Sequence, residues 1–207
     1  MGSIWSTSLV LTTLTVVDFQ EHQPYVVRAP NHLLASPLVA TNPDLNIQIH
    51  SVAGDPRPLE DYLTNFPLAV IALDPFTHES SWIDNTAARI LSNFSGADCR
   101  VGWLVIGDAD QASNFLGPFS DEFITFIDPE ASFVKEIGFT QTPGILHINQ
   151  APELIAATQG WSPEEWREVV SGLADHMQWT RPAIPAEGDP TPYQRSNIIG
   201  PEEGDQE

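Results

Sequence analysis

The chain has 207 residues, 42% of them hydrophobic, with 28 acidic against 8 basic side chains and a formal charge of −20 at pH 7. That length and apolar share suit one cored domain with extensions. The cation deficit, with Lys135 the single lysine, argues against nucleic acid and anionic membrane surfaces, both of which are held by Lys and Arg.

A basic protein partner or a simply solvated surface fits such acidity, and high-salt adaptation produces the same bias. One cysteine, Cys99, rules out an internal disulfide and a multi-thiolate zinc site. The run Leu9 to Val17 is apolar but lacks a preceding basic residue and leads into Asp18 and Glu21. It is no secretory signal and is too short to span a bilayer, so a cytoplasmic location is expected.

In chain order, residues 4 to 19 are rich in Val, Leu, Ile and Thr without helical spacing, which predicts one or two strands. Pro24, Pro30, Pro37 and Pro43 then break regular structure, as in an irregular wrapping arm. Leu45, Ile47 and Ile49 alternate with polar residues, the pattern of a half-buried strand. Gly54-Asp55-Pro56 is expected to turn the chain, and Leu59 to Leu63 to form a short helical turn.

Leu68 to Leu73 is a continuous apolar run, as in a strand covered on both faces. Ile83, Ala87, Ile90, Leu91 and Phe94 form one face of a helix, and Val101 to Ile106 is the next buried strand. Strand, helix, strand in this order is the right-handed crossover unit of a parallel sheet. Phe123 to Ile127 is a further strand, and Asp128-Pro129 offers a cap and a first-turn proline for a helix.

Ile145 to Ile148 and Glu153 to Thr158 flank the Asn149 to Pro152 turn and are expected to pair. Ser162-Pro163-Glu164-Glu165 reads as a capping box opening a helix whose stripe is Trp166, Val169, Val170, Leu173 and Met177. After Thr180 come five prolines and six acids in 27 residues, a disordered or extended acidic tail.

Five of these pieces, in this order, resemble the redoxin branch of the thioredoxin superfamily, shared by peroxiredoxins and TlpA-like proteins. They are the hairpin of Asp44 to Asp61 with Gly54-Asp55 as its tip, the short turn Leu59 to Leu63 before the first central strand, Asp128-Pro129 leading to Gly138, Thr142-Pro143, and Gly160 to Glu165. The resemblance covers about residues 44 to 178. It implies an α/β, thioredoxin-like three-layer fold at 44–180, with a central mixed sheet flanked by helices. An N-terminal β-rich extension (1–43) and a Pro-rich, disordered acidic C-terminal tail (181–207) lie outside it. It also implies that Thr142-Pro143 is a cis-proline element.

The departure from the family lies in the loop that would carry the reactive thiol. There the chain has His78, Glu79, Ser80, Ser81 and Trp82, and Thr77-x-x-Ser80 resembles the peroxiredoxin Thr-x-x-Cys with serine substituted. A serine hydroxyl stays protonated at neutral pH and reduces neither peroxide nor disulfide, which a thiolate does. Thiol catalysis of the family's type is not expected. His78, Glu79 and Ser80 include the groups of a hydrolase or metal site, but neighbours on one loop rarely meet in catalytic geometry and no nucleophile elbow is present. Ser80 or Ser81 is instead expected to cap the following helix.

His147, close after Thr142-Pro143, is the best remote partner for His78. The six histidines lack ligand spacing, however, so neither metal nor other cofactor is predicted. Cys99 reads as a packed small residue at a strand start. Of the six tryptophans, Trp103 and Trp166 read as core, while Trp5, Trp82 and Trp179 are candidate interface anchors.

The reading favours recognition over catalysis: a redox-inactive protein that binds other proteins as an accessory subunit or assembly chaperone. The groove between Thr77–Trp82 and Thr142-Pro143, which in catalytic relatives receives extended peptide, would bind a partner strand, lined by His78, Glu79, Ser80, Ser81, Trp82, Thr142 and Pro143. The arm would add contact area, and the tail, with Ile198-Ile199, would dock on the partner. The alternative is a single-cysteine or non-thiol enzyme of the redoxin type, a weak peroxidase or oxidoreductase.

Overall fold

A computed structural model describes residues 41–193 and 195–200. The expected N-terminal strands and most of the arm therefore lie outside the described residues. Its last residues are tied down, with Thr41 N–H donating to the Ile137 carbonyl and Asn42 Oδ1 accepting from Leu154 N–H.

A seven-stranded mixed sheet organises the chain. β1 (Gln48–Ser51) and β2 (Gly54–Pro58) form a hairpin, followed by β3 (Leu68–Leu73), β4 (Arg100–Val105), β5 (Ile124–Ile127), β7 (Gly144–Ile148) and β8 (Leu154–Gln159). The order across the sheet is β2-β1-β5-β4-β3-β7-β8. β3, β4 and β5 are parallel, and β1 and β7 run antiparallel to the parallel block on its two sides. The Asn149–Pro152 turn pairs β7 with β8 as expected. The hairpin turn between β1 and β2 falls on Val52-Ala53, not on Gly54-Asp55-Pro56, which already belong to β2.

β3 is buried at all six positions because both faces of the sheet are covered. Ala69, Ile71 and Leu73 face one core together with Trp103 and Val105 of β4. Leu68, Val70 and Ala72 face the other, with Leu104. The two-residue period of a strand thus divides one apolar run between two cores.

The first core is closed by α3 (Asp84–Asn93) and α7 (Pro163–His176) through Ile90, Leu91, Trp166 and Leu173. The second is closed by α1 (Leu59–Leu63) and α6 (Ser132–Glu136) through Leu59, Leu63 and Val134. Each fully buried large aliphatic or aromatic side chain stabilises by roughly 1.5–3 kcal/mol. Gly102 lets β5 approach β4, since a Cβ there would lie 2.2 Å from the Ile124 carbonyl oxygen.

The Ser162 hydroxyl caps α7 by accepting from Glu165 N–H at 3.4 Å. The Glu165 carboxylate does not close the box; it accepts from the Thr158 hydroxyl. Asp128 does not stand at the start of α6 with Pro129 as first residue. It caps from four residues upstream, accepting from Ser132 N–H at 2.8 Å and Val134 N–H at 3.0 Å.

Two helices between β4 and β5 have no counterpart in the sequence reading: α4 (Ala109–Leu116) and α5 (Phe119–Glu122). α4 begins with a reciprocal Asp108–Gln111 capping box.

The disordered acidic tail implied for 181–207 is corrected over its described residues, 181–193 and 195–200, which are held against the chain's own helices and loops. Arg89 of α3 donates to the Ala183 carbonyl, and Arg167 of α7 donates to the Ile184 carbonyl. Ile184 is buried in the first core. The Asp189 carboxylate takes two N–H bonds from Arg89 at 2.8 Å, one from Ala186 N–H, and one from the Thr86 hydroxyl. These partners remove the solvation that would otherwise keep so polar a segment in water.

Candidate functional site

The site forms where β3 ends. Asp74 is fully buried, and its Oδ1 accepts from Phe76 N–H at 2.9 Å, folding the loop back on itself. The Asp74 carbonyl accepts from both the backbone N–H and the hydroxyl of Thr77. A short helix, α2 (His78–Trp82), then carries the candidate residues.

Ser80 is not a cap. Its side chain is buried within α2, where Oγ accepts from Asp74 N–H at 2.9 Å and lies at hydrogen-bond distance, 2.9 Å, from Thr77 Oγ1. Ser81 donates to the His78 carbonyl at 2.7 Å and caps nothing either. Thr77-x-x-Ser80 therefore does close on itself across one helical turn, and both hydroxyls serve to lock the loop. His78 is exposed and makes no hydrogen bond to Ser80 among the described residues, so no base is set against a nucleophile.

Facing this loop is β6 (Gln141–Thr142), with the Thr142–Pro143 peptide bond cis, as the resemblance implied. Its shape is set from behind. Gln159 Oε1 accepts from Thr140 N–H at 2.8 Å and Gln141 N–H at 2.7 Å, and Gly160 N–H donates to the Pro143 carbonyl at 2.6 Å. Thr142 is buried with its hydroxyl unpartnered.

The groove between the two elements is filled by the chain's own C-terminal segment, a placement the sequence reading did not foresee. β9 (Ser196–Asn197) pairs antiparallel with β6, Ser196 opposite Thr142 and Asn197 opposite Gln141. Ile198 N–H continues to the Thr140 carbonyl at 3.1 Å. Asp74 Oδ2 accepts from Ile199 N–H at 2.7 Å and Gly200 N–H at 3.1 Å.

On the α2 side, the Tyr193 hydroxyl donates to the Glu79 carbonyl at 2.8 Å, and the Ser196 hydroxyl to the Glu79 carboxylate at 3.0 Å. The Tyr193 ring meets Trp82 edge to face, with centroids 5.3 Å apart. Burial, then the charges of Glu79 and Asp84, raise the Tyr193 phenol above its ordinary value, so it remains a donor. Trp82 itself is 55% exposed. Gly160, at φ +80°, is required where the segment passes: a Cβ there would lie 3.1 Å from Arg195 Cβ.

Of the seven predicted site residues, the structure gathers Glu79, Ser80, Trp82, Thr142 and Pro143 around this groove and leaves the His78 and Ser81 side chains facing outward. Asp74, Tyr193 and Ser196 were missed. The sequence offered Ile198-Ile199, within Tyr193 to Pro201, as a segment that docks on a partner; in the structure Ile198 and Ile199 N–H groups bond to this same chain.

Cys99 stands just before β4, at the end of the sheet away from this loop: its neighbour Arg100 pairs with Leu68, five residues before Leu73. Burial, then Asp98, push its thiol up to about 11. At neutral pH the thiol form therefore prevails over the thiolate, the reactive form. Trp103 and Trp166 are core as predicted; Trp179 is partly exposed and donates to the Asn93 carbonyl, and Trp5 lies outside the described residues.

His147 does not meet His78. It lies on β7 opposite Ala69, in the half of the sheet away from the loop, with its ring centroid 5.3 Å from that of His176 at the end of α7. It is 1% exposed and both ring nitrogens lack hydrogen-bond partners. Burial, then the neighbouring His176, lower it to about 4. No group of three or more His, Cys, Asp or Glu among the described residues is arranged to hold a metal ion.

The chain matches no family model and no curated protein. Solved structures do match it. A cysteine-to-serine mutant of PrxQ from Xylella fastidiosa superposes with a TM-score of 0.53 at 18% identity, over 66% of this chain and 97% of that one. Mycobacterium tuberculosis DsbF, in mixed oxidised and reduced forms, gives 0.52 at 14% identity, over 62% and 96%. The fold is that of the thioredoxin-like redoxins.

A hypothetical protein from Sinorhizobium meliloti 1021 extends the likeness to 83% of this chain and 97% of that one, with a TM-score of 0.56 at 13% identity. At these identities the likeness is one of fold. The resemblance puts the attacking thiol at Glu79 or Ser80, and neither side chain carries sulfur. The single cysteine lies elsewhere. Among the described residues no helix is long and apolar enough to cross a membrane.

Proposed function

We propose that this thioredoxin-like chain is a redox-inactive, cytoplasmic protein-binding module, serving as an accessory subunit or assembly chaperone through the groove between α2 and Thr142-Pro143. One observation carries the reading. The groove holds an extended segment by backbone pairing and by aromatic contact, with no sulfur taking part. Strand addition of this kind draws affinity from main-chain hydrogen bonds and selectivity from side-chain pockets.

Binding is favoured over catalysis because Glu79 and Ser80, the two positions where the resemblance would put the thiol, carry no sulfur, and the Ser80 hydroxyl is buried and engaged by Asp74 and Thr77. Cys99 offers a poor nucleophile remote from the groove. The exposed face of Trp82 supplies the kind of aromatic anchor that dominates interface energetics.

The test is affinity purification of the full-length chain from its native host, wild type beside Trp82→Ala, read by quantitative mass spectrometry. A partner enriched by wild type and depleted at least ~10-fold by Trp82→Ala supports the reading, since loss of a hot-spot side chain costs about 2 kcal/mol or more. Equal capture by both chains removes its basis. So does rapid hydroperoxide or insulin-disulfide turnover by wild type that Cys99→Ser abolishes.

A further inference from the structure

The docked C-terminal region has two unlike parts. Its upstream part is a clamp: Ile184 is in the core, and both oxygens of the Asp189 carboxylate, its side chain 3% exposed, accept from Arg89 Nη2. The Trp161 indole N–H adds a bond to the Pro190 carbonyl at 2.8 Å. Its downstream part, Tyr193 and residues 195–200 with β9 among them, is laid over a surface. There the ladder is two residues long, Ile199 is 61% exposed, and the hold consists of hydrogen bonds, the Trp82 contact and the part-buried packing of Tyr193 and Ile198 at the core edges. Pro190-Thr191-Pro192 joins the two parts.

The contacts of the second part read as a recognition code. Asp74 is a buried carboxylate aimed at the groove, and it takes two successive backbone N–H groups from the strand. Such charge-assisted bonds are the strong ones, and a proline at either position forfeits one. Glu79 accepts the Ser196 hydroxyl, so an acidic side chain opposite Thr142 would be repelled. Trp82 presents its ring to an aromatic residue three positions upstream of that hydroxyl.

Resting on the binding function proposed above, we infer that Tyr193–Gly200 is the resident copy of the groove's ligand. The partner presents an extended strand that reproduces its chemistry and enters by displacing it. That strand carries an aromatic residue, a small hydroxyl residue three positions on, and, after a further two, a pair of non-proline residues whose N–H groups meet Asp74. The tether sets the threshold. A strand joined by a short linker faces its site at an effective concentration on the order of millimolar, so a free competitor of equal intrinsic affinity binds the intact chain far more weakly than a chain whose segment is released.

A fluorescent peptide with the sequence of Pro190 to Gly200 is titrated against full-length wild type and full-length Ile199→Pro/Gly200→Pro, which withdraws both N–H groups from Asp74. The expected result is binding to the variant at least ~10-fold tighter than to wild type, with a peptide bearing the same two prolines binding neither. Equal affinity for both chains, or no binding to the variant, overturns the inference. Hydrogen exchange on unmodified wild type gives a second reading: saturating peptide should accelerate exchange at Ile199 and Gly200, and unchanged protection overturns displacement.

A concentration-dependent dimer with exchanged segments would overturn the assignment in favour of a second copy. If the peptide fails while Trp82-dependent partner capture persists, this inference alone falls. Peptide binding without any captured partner removes the proposed function instead.

Discussion

A histidine with two unpartnered ring nitrogens in an apolar layer is an anomaly at the scale of one residue, and it has a measurable consequence. His147 is buried against the α7 side of the sheet, and its folded-state pKa is lowered to about 4 from an ordinary 6.5, first by burial and then by His176. Above pH 6.5 both folded and unfolded chains hold it neutral. Between pH 6.5 and 4 the unfolded chain takes up a proton that the folded chain refuses, so stability drains as the pH falls. The full loss from this one group is about 3 kcal/mol, at 1.36 kcal/mol per pKa unit.

His147→Leu removes the titration and also the two unpartnered nitrogens, and replacing buried polar atoms by apolar ones of similar size is neutral or stabilising. Urea unfolding of both chains at pH 7, 5.5 and 4.5 should therefore show the variant gaining on wild type steadily towards acid, by about 1–3 kcal/mol at the lowest pH. A difference that does not change with pH would mean the native state protonates His147 in place. The neighbouring acid-sensitive carboxylates cancel in the comparison, because both chains share them.

At the scale of elements, the clamp at the start of the docked segment governs everything after it. Asp189 satisfies Arg89, Thr86 and Ala186 N–H together. Asp189→Ala leaves those donors without an acceptor, although Arg89 retains the Ala183 carbonyl and its side chain is 35% exposed. A global loss of about 1–3 kcal/mol follows from unsatisfied partners of this kind. The more selective signal is local. Arg195 is followed by Ser196, so trypsin has a site inside the groove-bound strand. Proteolysis tracks the population of locally opened states. Cleavage after Arg195 should run at least ~10-fold faster in Asp189→Ala than in wild type while the remainder of the domain resists. Equal rates would show that Tyr193–Gly200 holds itself in place without the clamp.

The elements that local pattern revealed and those it concealed differ for a physical reason. Leu68–Leu73, the Ile83–Phe94 stripe and the β7–β8 pair announce themselves through periodicity and turn chemistry within a dozen residues. α4 went unread although Asp108 and Gln111 stand in capping-box spacing, because its eight residues bring only Ala112 and Leu116 to full burial. The docked segment was not legible. Its decisive bonds, Arg89 to Asp189, Tyr193 to Glu79 and Ile199 to Asp74, join residues 100, 114 and 125 positions apart. Composition alone reads the same residues as a solvated tail, and it takes the folded groove to supply their partners. The site was likewise half visible: the loss of the thiol and the Thr142-Pro143 element could be read, whereas Asp74 is an ordinary turn aspartate until Ile199 and Gly200 arrive beside it.

For the whole molecule, the dominant field is its own charge. A formal −20 on 207 residues means that compaction brings like charges together, which destabilises the folded state by self-repulsion. Among the described residues the ion pairs are few: Arg89–Asp189, largely shielded, and Arg181–Asp175, exposed on both partners. Exposed pairs contribute at most about 1 kcal/mol, so screening has little favourable attraction to weaken and much repulsion to relieve. The Debye length falls from about 30 Å at 0.01 M salt to about 3 Å at 1 M, so the gain should come mostly by about 0.15 M, where screening already acts within the width of the domain. Thermal unfolding in NaCl across that range should show the melting temperature rising by several degrees, for the Asp189→Ala chain as much as for wild type, because the repulsion belongs to the whole surface. A melting temperature that falls with NaCl would assign the stability to specific ion pairs, and a rise confined to wild type would assign it to the clamp.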